Sequence, residues 1–126
     1  MEISKQGTSN QLANKIVEAI QNKNGRDVTL LDMKDVENSI CDYFVICHGT
    51  STTHVDAISD SVEQKVKEDI QEKPYRKEGQ NNLTWVLMDY ENVVVHIFQE
   101  EYRNFYNLED LWADAKVKKF EDEQIN

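Results

Sequence analysis

The sequence contains little cysteine, proline or glycine. It has two cysteines, one proline and four glycines among 126 residues. This composition excludes a disulfide-rich scaffold, a collagen-like repeat and a proline- or glycine-rich linker. Both cysteines, Cys41 and Cys47, lie in or beside an apolar run, where reduced cysteine is a small buried hydrophobe. We therefore expect a folded chain without disulfide bonds.

Long apolar stretches are also absent. No run approaches the roughly 20 residues that span a membrane, and the first ten residues, MEISKQGTSN, lack the apolar stretch of a secretory signal. Hydrophobic residues still make up 39% of the chain, which is ordinary for a globular protein. The length suits one core and not two. These features predict a single cytoplasmic domain that has no membrane partner.

Basic residues are few and scattered. The chain has 14 lysines and arginines against 24 acidic residues, which gives a formal charge of −10. Binding to free nucleic acid depends on clustered lysine and arginine side chains that neutralise phosphates, so we expect none here. An acidic chain is better suited to a basic protein partner, although acidity can also serve solubility alone.

The first part of the chain alternates between helical and strand-like patterns. Ser9 or Asn10 is placed to cap the first helix, and threonines and serines after Gly49 can cap the second. The strand before the second helix, YFVIC, is uniformly apolar, as in strands buried on both faces. The predicted elements are a helix over 11–23, strands over 28–33 and 43–47, and a helix between Gly49 and Pro74. This order of helices and strands indicates an α/β domain.

Two apolar runs around Glu91-Asn92 predict a tight β-hairpin. A two-residue turn sets Trp85 opposite Phe98 and Leu87 opposite His96. Alternate side chains then share a face. One face is apolar and is expected to be core: Val86, Met88, Tyr90, Val93, Val95 and Ile97. The other mixes apolar and polar groups: Trp85, Leu87, Asp89, Val94, His96 and Phe98.

This second face permits two interpretations. Trp85 and Phe98 could anchor a protein interface, or an additional helix could cover them. We favour the interface, because the two clear helices need only the first face for their core. His96 and Asp89 suggest acid–base chemistry, but they are not directly opposed and have no nucleophile nearby, which favours a structural or interface role.

Metal and phosphate sites are weakly indicated. Cys41, Cys47, His48 and His54 are zinc-binding residue types. Adjacent strand residues such as Cys47 and His48 point to opposite faces, however, and no Cys-x-x-Cys spacing occurs. The segment Gly49-Thr50-Ser51 precedes a helix but lacks the lysine of a P-loop, so helix capping is its expected role. We predict no metal and no cofactor.

The enzyme alternative is nucleotidyl transfer. That reaction needs two or three carboxylates that converge on Mg²⁺, typically an Asp-x-Asp pair on a strand after a Gly-Ser turn. The sequence has no such pair, and Asp89 and Glu91 are the only acids near the hairpin turn. We therefore predict a binding protein, with a nucleotidyltransferase-like nucleotide-binding enzyme as the alternative.

A family resemblance rests on motifs that span most of residues 11–115. The segment DYFVI at 42–46, followed by Gly49-Thr50-Ser51 and a helix that opens near His54, resembles the Iojap-like ribosomal silencing factors. Further matching motifs recur in the same order: Glu78-Gly79, Trp85, Asp89-Tyr90, VVVHIF at 93–98, Arg103, Phe105-Tyr106, Leu108-Glu109, Leu111-Trp112 and Asp114-Ala115.

The resemblance implies a mixed β-sheet flanked by helices, similar to the nucleotidyltransferase-like fold but without its chemistry. It also implies binding to the fourteenth protein of the large ribosomal subunit, which blocks small-subunit joining and represses translation under nutrient limitation. Some members form homodimers. We assign the family domain to residues 9–115 and expect a frayed tail over 116–126. Strand parity adds the expected partner-binding residues: Trp85, Leu87, Asp89, His96 and Phe98, with Glu78 at the edge.

Overall fold

The computed structural model describes the backbone of residues 5–122 and the side chains of residues 9–110 and 112–122. Four helices and six strands form one α/β unit. Within this part of the chain, no helix combines the length and apolarity needed to cross a membrane. The elements are α1 Lys5–Gln21, β1 Arg26–Asp32, β2 Tyr43–Gly49, α2 Thr52–Asp69, β3 Arg76–Glu78, β4 Trp85–Asp89, β5 Val93–Gln99, α3 Glu100–Tyr106, α4 Leu108–Leu111 and β6 Lys116–Lys119.

The six strands form one mixed sheet in the order β3-β4-β5-β2-β1-β6. Only β2 and β5 are parallel, and every other neighbouring pair is antiparallel. The mixed sheet flanked by helices confirms the expected fold class. The predicted hairpin is confirmed residue by residue, with Trp85 opposite Phe98 and Leu87 opposite His96.

The first face of the sheet carries the larger core, under α1 and α2. All six hairpin residues expected on this face are buried there. The α2 helix begins where a cap was expected, because Ser51 accepts a hydrogen bond from the backbone N–H of His54 at 3.1 Å. Its apolar positions Val55, Ile58, Val62 and Val66 recur every three or four residues and bury one helix face.

The second face is also largely covered, contrary to the open interface that we favoured from the sequence. A second buried cluster lies between the sheet and the segments that follow β1 and β5. Phe98 is fully buried and His96 is 5% exposed. The sheet is therefore the middle layer of three, and only part of the second face reaches solvent. The cluster comprises Leu31, Met33, Cys41, Phe44, Ile46, Val94, Phe98, Leu108 and Ala115.

Two predicted boundaries are wrong. The first helix begins at Lys5, so Ser9 lies buried inside it and does not cap its start. The expected tail is not frayed over Lys116–Lys119, which form the edge strand β6 beside β1, with Val117 opposite Leu31. Backbone pairing holds this segment although its side chains are exposed, and a hydrophobic pattern cannot predict such a strand. Residues 123–126 of the expected tail lie outside the described residues.

The turn between β4 and β5 contains a strained residue. Glu91 has a φ of +72°, a region that disfavours side chains with a β-carbon. The Asn92 N–H donates to the Tyr90 carbonyl at 2.9 Å, which closes a three-residue γ-turn. Asp89 Oδ1 accepts the Glu91 N–H at 2.8 Å and holds the turn in place.

Replacing Glu91 with glycine should therefore stabilise the domain. Relief of the left-handed strain is worth about 1–2 kcal/mol, and the extra freedom of glycine in the unfolded chain costs about 0.4–1 kcal/mol. We expect chemical denaturation to show a net gain of about 0.5–1 kcal/mol. Glu37→Gly, at an exposed loop residue without positive φ, should lower stability. A loss of stability in Glu91→Gly would contradict the strain argument.

Candidate functional site

A patch of apolar side chains reaches solvent where β4 meets α3. We call it the apolar surface, and it consists of Trp85, Leu87, Tyr102, Phe105 and Tyr106. The Trp85 and Tyr106 rings lie 4.7 Å apart, and the Tyr106 and Phe105 rings lie 5.2 Å apart. Tyr106 is 45% exposed and Phe105 is 79% exposed. These contacts make one continuous row of rings from the sheet to the helix.

His96 lies beneath this surface and orients Trp85. The Trp85 Nε1–H donates to His96 Nδ1 at 3.1 Å, so Nδ1 carries no proton and Nε2 carries it. Burial lowers the pKa of His96 to about 4, and the ring packs edge-on against Phe44 at 4.9 Å. A neutral, buried imidazole that holds an indole has a positioning role and is poorly suited to proton transfer near neutral pH.

Acidic residues border the apolar surface. Glu78 on β3 lies opposite Leu87 on β4, so their side chains share the second face. Asp89 lies two residues further along β4, and Arg76 contacts both acids, at 2.9 Å from Glu78 and 3.9 Å from Asp89. On α3, Glu101 lines a groove of about 300 Å³ with Tyr102, Phe105 and Tyr106. We call Glu78, Asp89 and Glu101 the acidic rim.

The six residues predicted from strand parity therefore divide into two groups. Trp85 and Leu87 are half-buried on the apolar surface, and Asp89 and the exposed Glu78 belong to its rim. Phe98 and His96 do share this face, but both are buried, so the expectation that they are exposed is wrong. Phe98 instead stacks beneath Trp85 at 5.0 Å and supports it. The covering helix, the interpretation that we did not favour, accounts for their burial.

The aromatic residues of α3 were not among the residues predicted for the site. Tyr102, Phe105 and Tyr106 lie three and four residues apart, a spacing typical of one buried helix stripe. The spacing alone does not show whether the sheet extends far enough to bury all three side chains. The number of aromatic residues could have indicated the exposed surface. Three large rings occur within the seven residues of α3, more than one short helix is expected to bury.

Arg103 fastens α3 to the sheet. Its side chain is 5% exposed, and Nη1 donates to the Asp27 carbonyl at 2.7 Å and to His48 Nδ1 at 3.1 Å. Nη2 donates to Thr29 Oγ1 at 3.1 Å and to Glu109 Oε2 at 2.8 Å. The β1–β2 register shifts between Arg26 and Thr29, and Asp27 has a φ of +48°. This irregularity coincides with the backbone carbonyl that Arg103 binds.

Other reactive groups do not form a chemical site in the described residues. Burial raises the pKa values of the Cys41 and Cys47 thiols to about 12, so both are protonated near neutral pH and are weak nucleophiles. Both cysteines are free and buried, as expected. Among residues 5–122, no group of three histidine, cysteine, aspartate or glutamate side chains is arranged to hold a metal ion.

Comparisons with known proteins show which family the chain resembles. A family model described as "Ribosomal silencing factor during starvation" matches residues 6–126. The chain is 42% identical over 100 residues to the ribosomal silencing factor RsfS of Bacillus subtilis, covering 79% of this chain and 82% of that protein. It is 38% identical over 114 residues to RsfS of Halalkalibacterium halodurans, covering 90% and 96% of the two chains.

The fold also matches a solved structure. A crystal structure of a protein from Chromobacterium violaceum superposes with a TM-score of 0.78 at 27% sequence identity. The match covers all of this chain and 92% of the other. The two proteins thus share the same overall fold.

Proposed function

Since this chain belongs to the family of ribosomal silencing factors, we propose that it binds the large ribosomal subunit through its fourteenth protein and blocks the small subunit. The mechanism is steric, so the bound domain needs no chemistry of its own. The bound domain needs only to stay on the face of the large subunit where the small subunit would dock. The family description names starvation as the condition, so we expect translation to be held down when nutrients are limited. The expected location is the cytoplasm, where ribosomal subunits join.

The apolar surface with its acidic rim carries this proposal. Aromatic side chains in the centre of an interface supply much of the binding energy, and surrounding polar groups supply specificity. A formal charge of −10 favours a basic protein partner and speeds its approach at low salt. We assign Trp85, Leu87 and Tyr106 to the centre, and Glu78 and Asp89 to the edge. His96 and Phe98 act from beneath by holding Trp85.

The first test is sedimentation of purified large and small subunits at Mg²⁺ concentrations that permit joining, with and without a modest excess of this protein. The proposal expects the protein to travel with the large subunit while the joined particle declines. A protein that stays at the top of the gradient and leaves joining unaffected would refute it.

Trp85→Ala should weaken binding to the large subunit by about 2 kcal/mol or more, roughly 30-fold, because the indole is the largest ring on the apolar surface. Trp85→Phe keeps a ring against Tyr106 and should recover part of the affinity. Val117→Ala, an exposed apolar residue on the edge strand β6, is the matched control and should bind normally. Melting curves establish that each variant is folded. Normal affinity in folded Trp85→Ala would remove Trp85 from the interface.

Nucleotidyl transfer gains no support from the carboxylates near the hairpin. Asp89 is engaged by Arg76 and by the Glu91 N–H, while the Glu91 side chain is exposed at the turn. A stabilising ligand raises the melting temperature through mass action. Addition of Mg²⁺ with each nucleoside triphosphate should therefore leave the melting temperature unchanged, and a clear rise would favour the enzyme.

A further inference from the structure

Phe105 is the most exposed of the large hydrophobic side chains in the described residues, at 79%. Isolated exposed apolar residues are common and need no explanation. Phe105 is not isolated, however, because its ring packs edge-on against Tyr106, which in turn contacts Trp85. It forms the outer end of the row of rings, and it lines the groove of about 300 Å³ with Glu101, Tyr102 and Tyr106.

The helix that carries Phe105 is fastened to the rest of the fold by several contacts. Arg103, two residues earlier, is buried and binds β1 and α4 through the contacts given above. At the C-terminal end, Asn107 adopts a left-handed conformation, its N–H donates to the Arg103 carbonyl at 2.9 Å, and its side chain donates to Asp110 at 2.7 Å. The backbone that carries Phe105 is thus already ordered before binding, which lowers the entropic cost of using this residue as an anchor.

The charges around Phe105 favour a basic protein partner over a second copy of this chain. Residues 100–112 contain four acidic residues and one basic residue, Arg103, whose charge is already paired inside the fold. The groove therefore presents an apolar ring beside the carboxylate of Glu101. A second copy of this chain would bring acidic residues toward acidic residues, which is unfavourable. A basic protein surface with an apolar recess complements both features.

We propose that Phe105 is an anchor residue that inserts into an apolar recess on the basic ribosomal protein, with Glu101 facing a lysine or arginine beside that recess. This inference rests on the proposed function and extends its interface along α3, from Tyr106 to Phe105 and Glu101. The row of rings makes the hairpin and α3 one surface, so Phe105 and Trp85 contact the same partner.

The test is a titration of purified large subunits with labelled protein. Phe105→Ser should weaken binding by at least tenfold with an unchanged melting temperature, because the ring contributes little to the core. Tyr75→Ser is the matched control, since Tyr75 is a 76% exposed aromatic residue outside the apolar surface, and it should bind as the wild type does. Glu101→Lys should also weaken binding, most strongly at low salt. If Phe105→Ser lowers the melting temperature, Phe105→Leu serves instead, with the same expectation of weaker binding.

The outcomes separate this inference from the proposed function. Wild-type binding together with normal binding by the folded Phe105 variant would overturn the anchor and leave the proposed function intact. Absence of wild-type binding would overturn the proposed function, and the anchor with it. Analytical ultracentrifugation tests whether a second copy of this chain occupies the groove instead. If the wild type is a dimer, Phe105→Ser is a monomer and both bind the large subunit equally, Phe105 belongs to a self-interface and the proposal is overturned.

Discussion

Replacing Arg103 with alanine is expected to lower the free energy of unfolding by about 3 kcal/mol, the scale reported for removal of one partner from a buried ion pair. The guanidinium is 5% exposed and binds groups on β1, β2 and α4 at once. Without it, the Asp27 carbonyl and Thr29 hydroxyl lose a donor, and Glu109 loses its counter-charge. We expect α3 to loosen first, because these contacts hold it on the sheet.

Chemical denaturation measures this loss, and Arg76→Ala is the matched control. Arg76 also contacts two acids, but its side chain is 59% exposed, and exposed pairs contribute about 0–1 kcal/mol. Arg103→Lys keeps the charge but cannot reproduce the planar set of donors, so its stability should fall between those of the alanine variant and the wild type. Equal, small losses in Arg103→Ala and Arg76→Ala would show that the buried network is not a major source of stability.

The second large effect is a loss of stability in acid caused by His96. Burial lowers the pKa of this imidazole from 6.5 to about 4. Between these two values the unfolded chain binds a proton that the folded protein does not, so folding stability falls as the pH falls. Each pH unit contributes about 1.4 kcal/mol. We therefore expect a loss of about 3 kcal/mol between pH 6.5 and pH 4 from this group.

Denaturation at several pH values between 7 and 4 tests this expectation when the wild type is compared with His96→Asn. The asparagine does not titrate, and its carbonyl can still accept the Trp85 Nε1–H, so the variant should lose much less stability in acid. A smaller slope should remain, because burial and the neighbouring Arg103 lower the pKa of His48 in the same direction. If the free energy of unfolding falls equally with pH in the two proteins, His96 is not the source of the acid sensitivity.

The hairpin shows how far local information reaches. Its register follows from two rules, the alternation of strand side chains and the short connection through Glu91-Asn92. Both rules depend on neighbours in the sequence, so the cross-strand pairs were predicted correctly. Glu91 occupies a positive φ against its own preference, which shows that strand pairing can impose strain on a turn residue.

The candidate site could be predicted only in part. Trp85, Leu87 and Asp89 were placed on one face by parity alone, and the structure keeps them there, with Glu78 of β3 opposite Leu87. The burial of His96 and Phe98 depends on segments from elsewhere in the chain, so parity could not predict it. The same tertiary packing brings Tyr106, 21 positions further along the chain, against Trp85, and Phe105 against Tyr106, so that the three rings form one surface.

The sequence by itself determined the α/β class, the hairpin register, the apolar first face and the family, because periodicity and motif spacing are properties of neighbouring residues. Only the tertiary structure decided which part of the second face remains open. That choice depends on where α3 lies, and α3 is held by the contact of Arg103 with Asp27, 76 positions away in the chain. A contact at that separation leaves no local pattern, since it arises from the irregularity in β1 and from the burial of a single charged side chain.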